Sequence, residues 1–464
     1  MSADFFSEKT DLERSLGLKE TLSIVIGRII GSGIFATPGP IMLASGSVFV
    51  FYSSWIVGGI ATILGAVCYG ELVSMMPRSG GPYVFLKAAY PPFWTFLRGW
   101  AMFFVSETAA IVAVSIVFSR YLQALAHSLG FSDWPAFALT LVSFSLIWVM
   151  TAVNSFGVLF SGRVQNVLSA VKVFSLFALT AACFGAKGDV SHFSLNFWPR
   201  DFSLDTFDGL GKAMRYGFFA YSGWEGATYV AEEVKNPRKN LPLSLFLGIG
   251  GVMLIYLAVN SAYIYQISPF DFQKADISIA ASAMQAASGI TGSIFIALAV
   301  MVSTSGNVAT QVLVKGRTWF AMSRDALFLP GLEKIHPVYR TPNRALFAQG
   351  IWASVLLFGA SFSGKMYETI IDYFSFTSAV FNISTFAAVF VLRRKYPDAP
   401  RPYRAWFYPW SLILVLLIQI WFAWTTLRTA FLPSLAGIGL TLTGLVYYYF
   451  RVRFSGEKTS ESKA

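Results

Sequence analysis

Charge is scarce in this sequence. Of 464 residues only 13% are Asp, Glu, Lys or Arg, about half the share of a soluble domain. Cysteine is almost missing: Cys68 and Cys183 each lie in an apolar stretch, so no disulfide framework is expected. The three histidines, His127, His192 and His336, are far apart, and with two cysteines they form no metal-ligand spacing. Neither a metal nor any other cofactor is expected. No nucleophile–base constellation suggests an enzyme. The first residues, through Glu20, are polar and of mixed charge, unlike a cleaved signal peptide.

Apolar residues are what the chain has in excess. Hydrophobic residues make up 55% and aromatics 17%, more than water-soluble cores can hide. The fold class is therefore an all-α integral membrane protein, with the lipid bilayer as its solvent. The net charge of +11 then reflects Lys and Arg gathered in cytoplasmic loops rather than a nucleic-acid partner, and the aromatics reflect interfacial belts and packing.

A crossing helix needs about 20 apolar residues. Residues 29–70 carry no charge and are broken by "TPGP" and "ASGS", giving most of two spans. Ten more lie at about 94–126, 135–154, 164–185, 209–231, 241–267, 277–313, 345–362, 368–392, 407–427 and 430–450, about twelve in all. With the N-terminus inside, the cytoplasmic connections hold most of the basic residues, such as Arg238, Lys239, Arg340, Arg393 and Arg394. Both termini are therefore expected in the cytoplasm of a multi-pass cell-membrane protein. No connection is long enough for a soluble core, and the tail "SGEKTSESKA" is expected to be disordered.

The stretch "IGRIIGSGIF", residues 26–35, interrupts the first span with Gly31 and Gly33 and sets Arg28 beside them. Each glycine weakens a helix by about 1 kcal/mol relative to alanine. Irregular backbone at membrane depth survives only beside protein or a water-filled cavity. A second cluster, "FFAYSGWEGA", residues 218–227, interrupts the sixth span. Glycine-broken helices at matching positions of two halves are the mark of inverted-repeat transporters. A broken helix exposes N–H groups at one end and C=O groups at the other. The first suit a carboxylate and the second an ammonium, so two breaks side by side can hold a zwitterion. Packing of small residues between helices is the competing reading of Gly-Ser-Gly.

At these residues the sequence resembles the amino acid–polyamine–organocation superfamily, most closely its L-type amino acid transporter family. The resemblance is carried by "IIGSGIFATPG" (29–39), "GAVCYGELVSMMPRSGGPYVFL" (65–86), "RVQNVLSAVKV" (163–173), "FFAYSGWEGATYVAEEVKNPRKNLPLS" (218–244) and "RRKYPDAPRPYR" (393–404). It implies a core over 19–396 of two inverted five-helix repeats, with the first and sixth helices discontinuous. Two further helices would lie in 397–453, with cytoplasmic ends at 1–18 and 454–464.

The same resemblance implies a substrate site. Ser32 and Gly33 would bind the carboxylate of an amino acid. Ile29, Phe219 and Ser222 would offer carbonyls to its amino group, with Ala220 beside them. Phe219 would form an aromatic gate, and Ser378 would line the pocket. Lys172 lies about 13 Å along its helix from Arg163 and would take the place of a sodium ion, bridging to Ser303 and Ser305.

Some residues depart from the family pattern: Arg28, Glu107 and Glu225. Intramembrane charges are costly unless paired, so Arg28 is expected to pair with Glu107 or Glu225; a substrate contact and an inner-gate ion pair are the alternatives. Glu71 reads as an anchoring ion pair. The loop "HSLGFSDW" (127–134) lacks the cysteine that joins eukaryotic relatives to a glycoprotein subunit, so no covalent partner is expected.

The function implied is sodium-independent exchange of L-amino acids, neutral ones if the pocket charges cancel. Proton-coupled uptake of an amino acid or polyamine is the alternative, and a non-transporting amino acid sensor the other.

Overall fold

The computed structural model describes residues 6, 14–78, 80–156, 162–274, 278–324 and 328–461. Side chains are described over the same ranges except 162–169, 273–274, 321 and 452–461, so Arg163 and Lys274 lie outside them, as does Lys463. Among the described residues every regular element is helical, apart from one isolated parallel bridge between Leu16 and Val234.

The first helix, α1 (Leu18–Ile29), begins where the Gly17 N–H donates to the Glu20 carboxylate at 2.8 Å. It stops at Ile30, which is extended at φ −68° and ψ 93°. A single turn, α2 (Gly33–Ala36), follows the break, and α3 (Pro38–Ser45) then bends away by 58°. Pro38 fits the first turn of α3, where its missing N–H costs nothing, and Gly46 ends it at φ +66°. Next come α4 (Val48–Met75), α5 (Pro82–Ala89) and α6 (Pro92–Ala101). A five-residue π-helical stretch, Met102–Ser106, joins α6 to α7 (Glu107–Ser128). Such wide turns are frequent at functional sites.

Two helices, α8 (Ala136–Ser155) and α9 (Gly162–Gly185), precede α10 (Leu204–Ala220). The chain leaves α10 at Tyr221, passes Gly223 at φ +89°, and resumes as a 3-10 stretch, Trp224–Glu233, kinked at Val230. It continues as α11 (Pro237–Gln266), α12 (Pro269–Lys274) and α13 (Ile279–Arg324). The last four are α14 (Asn343–Ser361), α15 (Met366–Lys395), α16 (Trp410–Thr429) and α17 (Phe431–Glu461).

Nine helices among the described residues are long and apolar enough to cross a membrane, or ten with the bent pair made by α1–α2 and α3. The chain is a multi-pass membrane protein. Two expected spans fall outside this count for physical reasons. The span expected at 209–231 is split, and its α-helical part has only 17 residues. The one expected at 164–185 is α9, whose first residues have no described side chains. The polar tail expected to be disordered instead continues α17 to Glu461.

The interior forms where α11 packs on α1 and α4, and α13 on α7 and α9. Outward positions such as Phe174, Leu254 and Trp424 remain exposed and apolar, as a lipid-facing surface requires. Cys68 and Cys183 are both free and buried.

One carboxylate ties the end of α4 to the far part of the chain. Glu71 is fully buried. It accepts from Arg393 Nε at 2.8 Å and Nη2 at 2.6 Å, and from the Ala405 N–H at 2.7 Å. Arg401 Nε lies 3.6 Å away. The sequence reading of Glu71 as an anchor matches this geometry. A two-pronged guanidinium–carboxylate pair with a main-chain donor satisfies nearly every lone pair. Its removal leaves Arg393, half-buried, with only the Tyr408 ring beside it among the described residues, at about 3 kcal/mol. Glu71→Ala is therefore expected to lower the unfolding temperature of the purified protein in detergent sharply. An exposed acid such as Asp201 changed to Ala should leave it within about 0.5 kcal/mol.

Candidate functional site

The two interruptions lie against each other. A Cβ placed on Gly33 would sit 2.5 Å from Ala220 Cα, so α2 can approach the end of α10 only through a glycine. One on Gly223 would sit 2.9 Å from the Arg28 carbonyl oxygen. A tyrosine from a third helix joins them: Tyr256 of α11, fully buried, places its hydroxyl 3.0 Å from Ile29 O and 3.1 Å from Ala220 O. Its ring packs edge-on against Trp55 at 5.6 Å and beside Tyr221 at 5.3 Å.

Around the breaks, main-chain groups stand unpaired. Among the described residues the N–H groups of Gly31, Ser32, Gly33 and Ile34 find no acceptor; regular bonding resumes with Phe35 and Ala36, which donate to Ser32 O. The carbonyls of Gly27 and Arg28 at the end of α1, and of Tyr221 and Ser222 after α10, accept no hydrogen bond. Free donors thus gather at the start of α2 and free acceptors at the ends of α1 and α10. A cavity of about 220 Å³ opens beside them, lined by Gly27, Arg28, Gly31, Ser32, Gly33 and Ser222 among others. It is smaller than the ~300–1,000 Å³ of drug-sized sites and suits a small polar molecule.

Eleven of the thirteen residues singled out from the sequence line this one cavity: Arg28, Ile29, Ser32, Gly33, Glu107, Lys172, Phe219, Ala220, Ser222, Glu225 and Ser378. Ser303 and Ser305 do not. The Ser305 hydroxyl donates to Met301 O at 2.8 Å, and the buried Ser303 hydroxyl has no partner. Lys172, 3% exposed, is hydrogen-bonded to neither. The Phe219 carbonyl also departs from expectation. It already accepts from the Ser222 N–H at 3.1 Å and the Ser222 hydroxyl at 2.7 Å, which uses both its lone pairs. The Phe219 ring stands 6.2 Å from Tyr367 and 5.9 Å from Phe374. On the other side of the breaks, Trp224 packs on Tyr69 at 4.6 Å.

The expected pairing of Arg28 with Glu107 or Glu225 is not what forms. Glu107 ion-pairs with Lys315 of α13, whose Nζ also donates to Glu107 O at 3.2 Å. Lys315 extends a polar ladder along α13. Its Nζ donates to Gln311 Oε1 at 2.7 Å, and Gln311 Nε2 donates to Asn307 Oδ1 at 2.8 Å. Asn307 ends the ladder at the first break, where a Cβ on Gly31 would lie 2.9 Å from its Nδ2. The physical reason for the correction is reach. α13 packs along α7 and sets a lysine opposite Glu107, while Arg28 lies along Gly226, whose missing side chain makes room for it. The spacing Asn307–Gln311–Lys315, long polar residues every four positions on one face of the helix, is the sequence signal that marks this ladder. A second pair, Arg215–Asp372 at 3.1 Å, joins α10 to α15 at the cavity wall.

The amino acid permease family matches residues 16–448. The chain is 29% identical over 457 residues to mouse (Mus musculus) b(0,+)-type amino acid transporter 1, covering 96% of this chain and 89% of that protein. It is 31% identical over 456 residues to human (Homo sapiens) large neutral amino acids transporter small subunit 2, covering 95% and 81%. With the human cystine/glutamate transporter it shares 29% identity over 453 residues, covering 95% and 86%.

Two stability measurements check the geometry. Gly33→Ala overpacks the contact with Ala220 and is expected to cost about 1–3 kcal/mol, read as a lower unfolding temperature in detergent. Lys315→Met strands Glu107 and should cost about 3 kcal/mol. Adding Glu107→Gln recovers most of that loss. A double-mutant cycle on residues 107 and 315 should thus give a coupling above about 1 kcal/mol, and one on 28 and 107 less than about 0.5 kcal/mol.

Proposed function

This chain belongs to the amino acid permease family, of the amino acid–polyamine–organocation superfamily, and on that premise we propose that it is a sodium-independent exchanger of L-amino acids, neutral ones included. The observation that carries the reading is the meeting of two interrupted helices at one cavity. Free N–H groups of Gly31–Gly33 would take the α-carboxylate, with the Ser32 hydroxyl beside them. Free carbonyls at the end of α1 and after α10 would take the α-ammonium. Donor and acceptor sets built from main chain suit every α-amino acid alike, so the side chain is left to the rest of the cavity. Phe219, with Tyr367 and Phe374, would close one side, and Trp224 with Tyr69 the other. Ala220 and Ser378 would line the wall.

In this reading the fold is twelve helices, two inverted five-helix repeats over 19–396 and two more in 397–453, with both termini cytoplasmic. The family resemblance and the matched position of the two breaks support it. Lys172 is buried beside the first break and would supply a positive charge where sodium-dependent relatives hold a sodium ion, which is why no sodium would be needed. The loop after α7 has no cysteine for a covalent subunit.

Counterflow in proteoliposomes tests this. Vesicles loaded with unlabelled L-amino acid should take up labelled L-amino acid faster than empty ones, and equally when sodium is replaced by choline. Uptake that requires a proton gradient and ignores internal substrate would replace exchange with symport, for which Glu107, Glu225 and Lys172 are the titratable groups at hand. Binding without flux would make the protein a sensor.

A further inference from the structure

The charges of the cavity do not cancel. Five basic and two acidic side chains line it. Lys315 is answered by Glu107, and Arg215 by Asp372 just outside the lining. Arg28, Arg98 and Lys172 remain, facing Glu225 alone. Arg98, from α6, is 8% exposed, and its Nε is buried with no hydrogen-bond partner. Its contact is with the Phe381 ring, 5.4 Å from guanidinium carbon to centroid. Arg28, at the last turn of α1, makes no ion pair or hydrogen bond among the described residues, and lies folded against Gly226. Arg28 is half-buried and Arg98 buried; two guanidiniums and an ammonium sharing one carboxylate at a membrane-depth cavity are a costly arrangement. They persist where a ligand supplies the missing charge.

The possible cargoes separate on this ground. A neutral amino acid brings one positive and one negative group, both taken up at the breaks, and leaves the surplus as it was. A cationic amino acid or polyamine adds to it. An amino acid with a second carboxylate removes one unit. We infer that the cavity selects acidic L-amino acids, α-amino dicarboxylates, over neutral and basic ones, with the side-chain carboxylate held by Arg28 and the charge of Arg98 behind it. A guanidinium offers the two parallel N–H donors that a carboxylate accepts. The inference rests on the reading of the cavity as an amino acid site and adds the side chain to it. It also accounts for Gly226: any larger residue there would push Arg28 aside.

The test uses the purified full-length protein in proteoliposomes, with labelled L-aspartate, L-glutamate, L-alanine, L-leucine and L-lysine in counterflow at equal concentration. Acidic substrates should exchange at least about tenfold faster than neutral ones, and lysine slowest. Arg28→Gln should lower the ratio of acidic to neutral exchange by roughly 10- to 100-fold. Arg28→Lys, which keeps the charge, should retain part of it. Competition of unlabelled L-glutamate against labelled alanine in the wild-type protein gives the same answer without a variant. Neutral exchange equal to or above acidic exchange, with Arg28→Gln affecting both alike, overturns the inference and leaves amino acid exchange standing. Neutral exchange that depends on chloride, lost in gluconate, also overturns it, because the counter-charge is then inorganic. No exchange with any amino acid removes both readings together.

Discussion

Main-chain polar groups inside a membrane must find partners, and two stretches of this chain leave them without any. Every other feature of the interior follows from that constraint. Breaking α1 at Ile30 and α10 at Tyr221 exposes donors and acceptors that hydrocarbon would penalise by several kcal/mol each. The structure limits the cost by bringing the breaks together over one cavity. Glycine at position 33 lets them touch, and Tyr256 caps a carbonyl from each. What stays open is a set of N–H and C=O groups aimed at the same space.

The charged residues are distributed with similar economy. Three carboxylates, Glu71, Glu107 and Asp372, each bind a cation from a helix distant in sequence. Glu71 lies at the end of α4 and works as an anchor, joining it to α15 and the segment before α16. Glu107 stands at the cavity wall, and Asp372 lies just behind it, holding Arg215 of the lining. The Glu107–Lys315 pair sits directly after the π-helical turn of the third span, where the altered helical phase brings Glu107 round toward α13. Within the cavity lining the unpaired positive charge lies on Arg28, Arg98 and Lys172.

Much of this was legible in the residues. Gly31-Ser32-Gly33 and Gly223–Gly226 announced the breaks, because glycine clusters are expensive in a crossing helix and have few other uses there. Glu71 announced an ion pair because a lone acid in an apolar helix needs one. The partner of Glu107 was not legible: Lys315 is remote in sequence, and only the packing of α13 on α7 brings it near. Tyr256 is one of 20 tyrosines, and nothing local distinguishes one that caps two broken helices from one that fills space. Ser303 and Ser305 rest on analogy: Ser303 lies one turn before Asn307 on the same face of α13, past the cavity lining, and Ser305 faces another side of the helix. The interruption of the sixth span reads in sequence as a gap in an α-helix. It is followed by a tighter 3-10 coil, because Gly223 in the left-handed region redirects the chain.

The Tyr256 hydroxyl carries a single hydrogen, yet two carbonyl oxygens stand within bonding distance of it. It can satisfy one fully or share itself between both, and the shared arrangement holds only while Ile29 and Ala220 stay side by side. Any rocking that parts the two half-helices obliges the proton to side with one of them and abandons the other to whatever polar group is nearby. The phenol therefore ties the two half-helices together at one main-chain spacing rather than through the chemistry of any side chain around it.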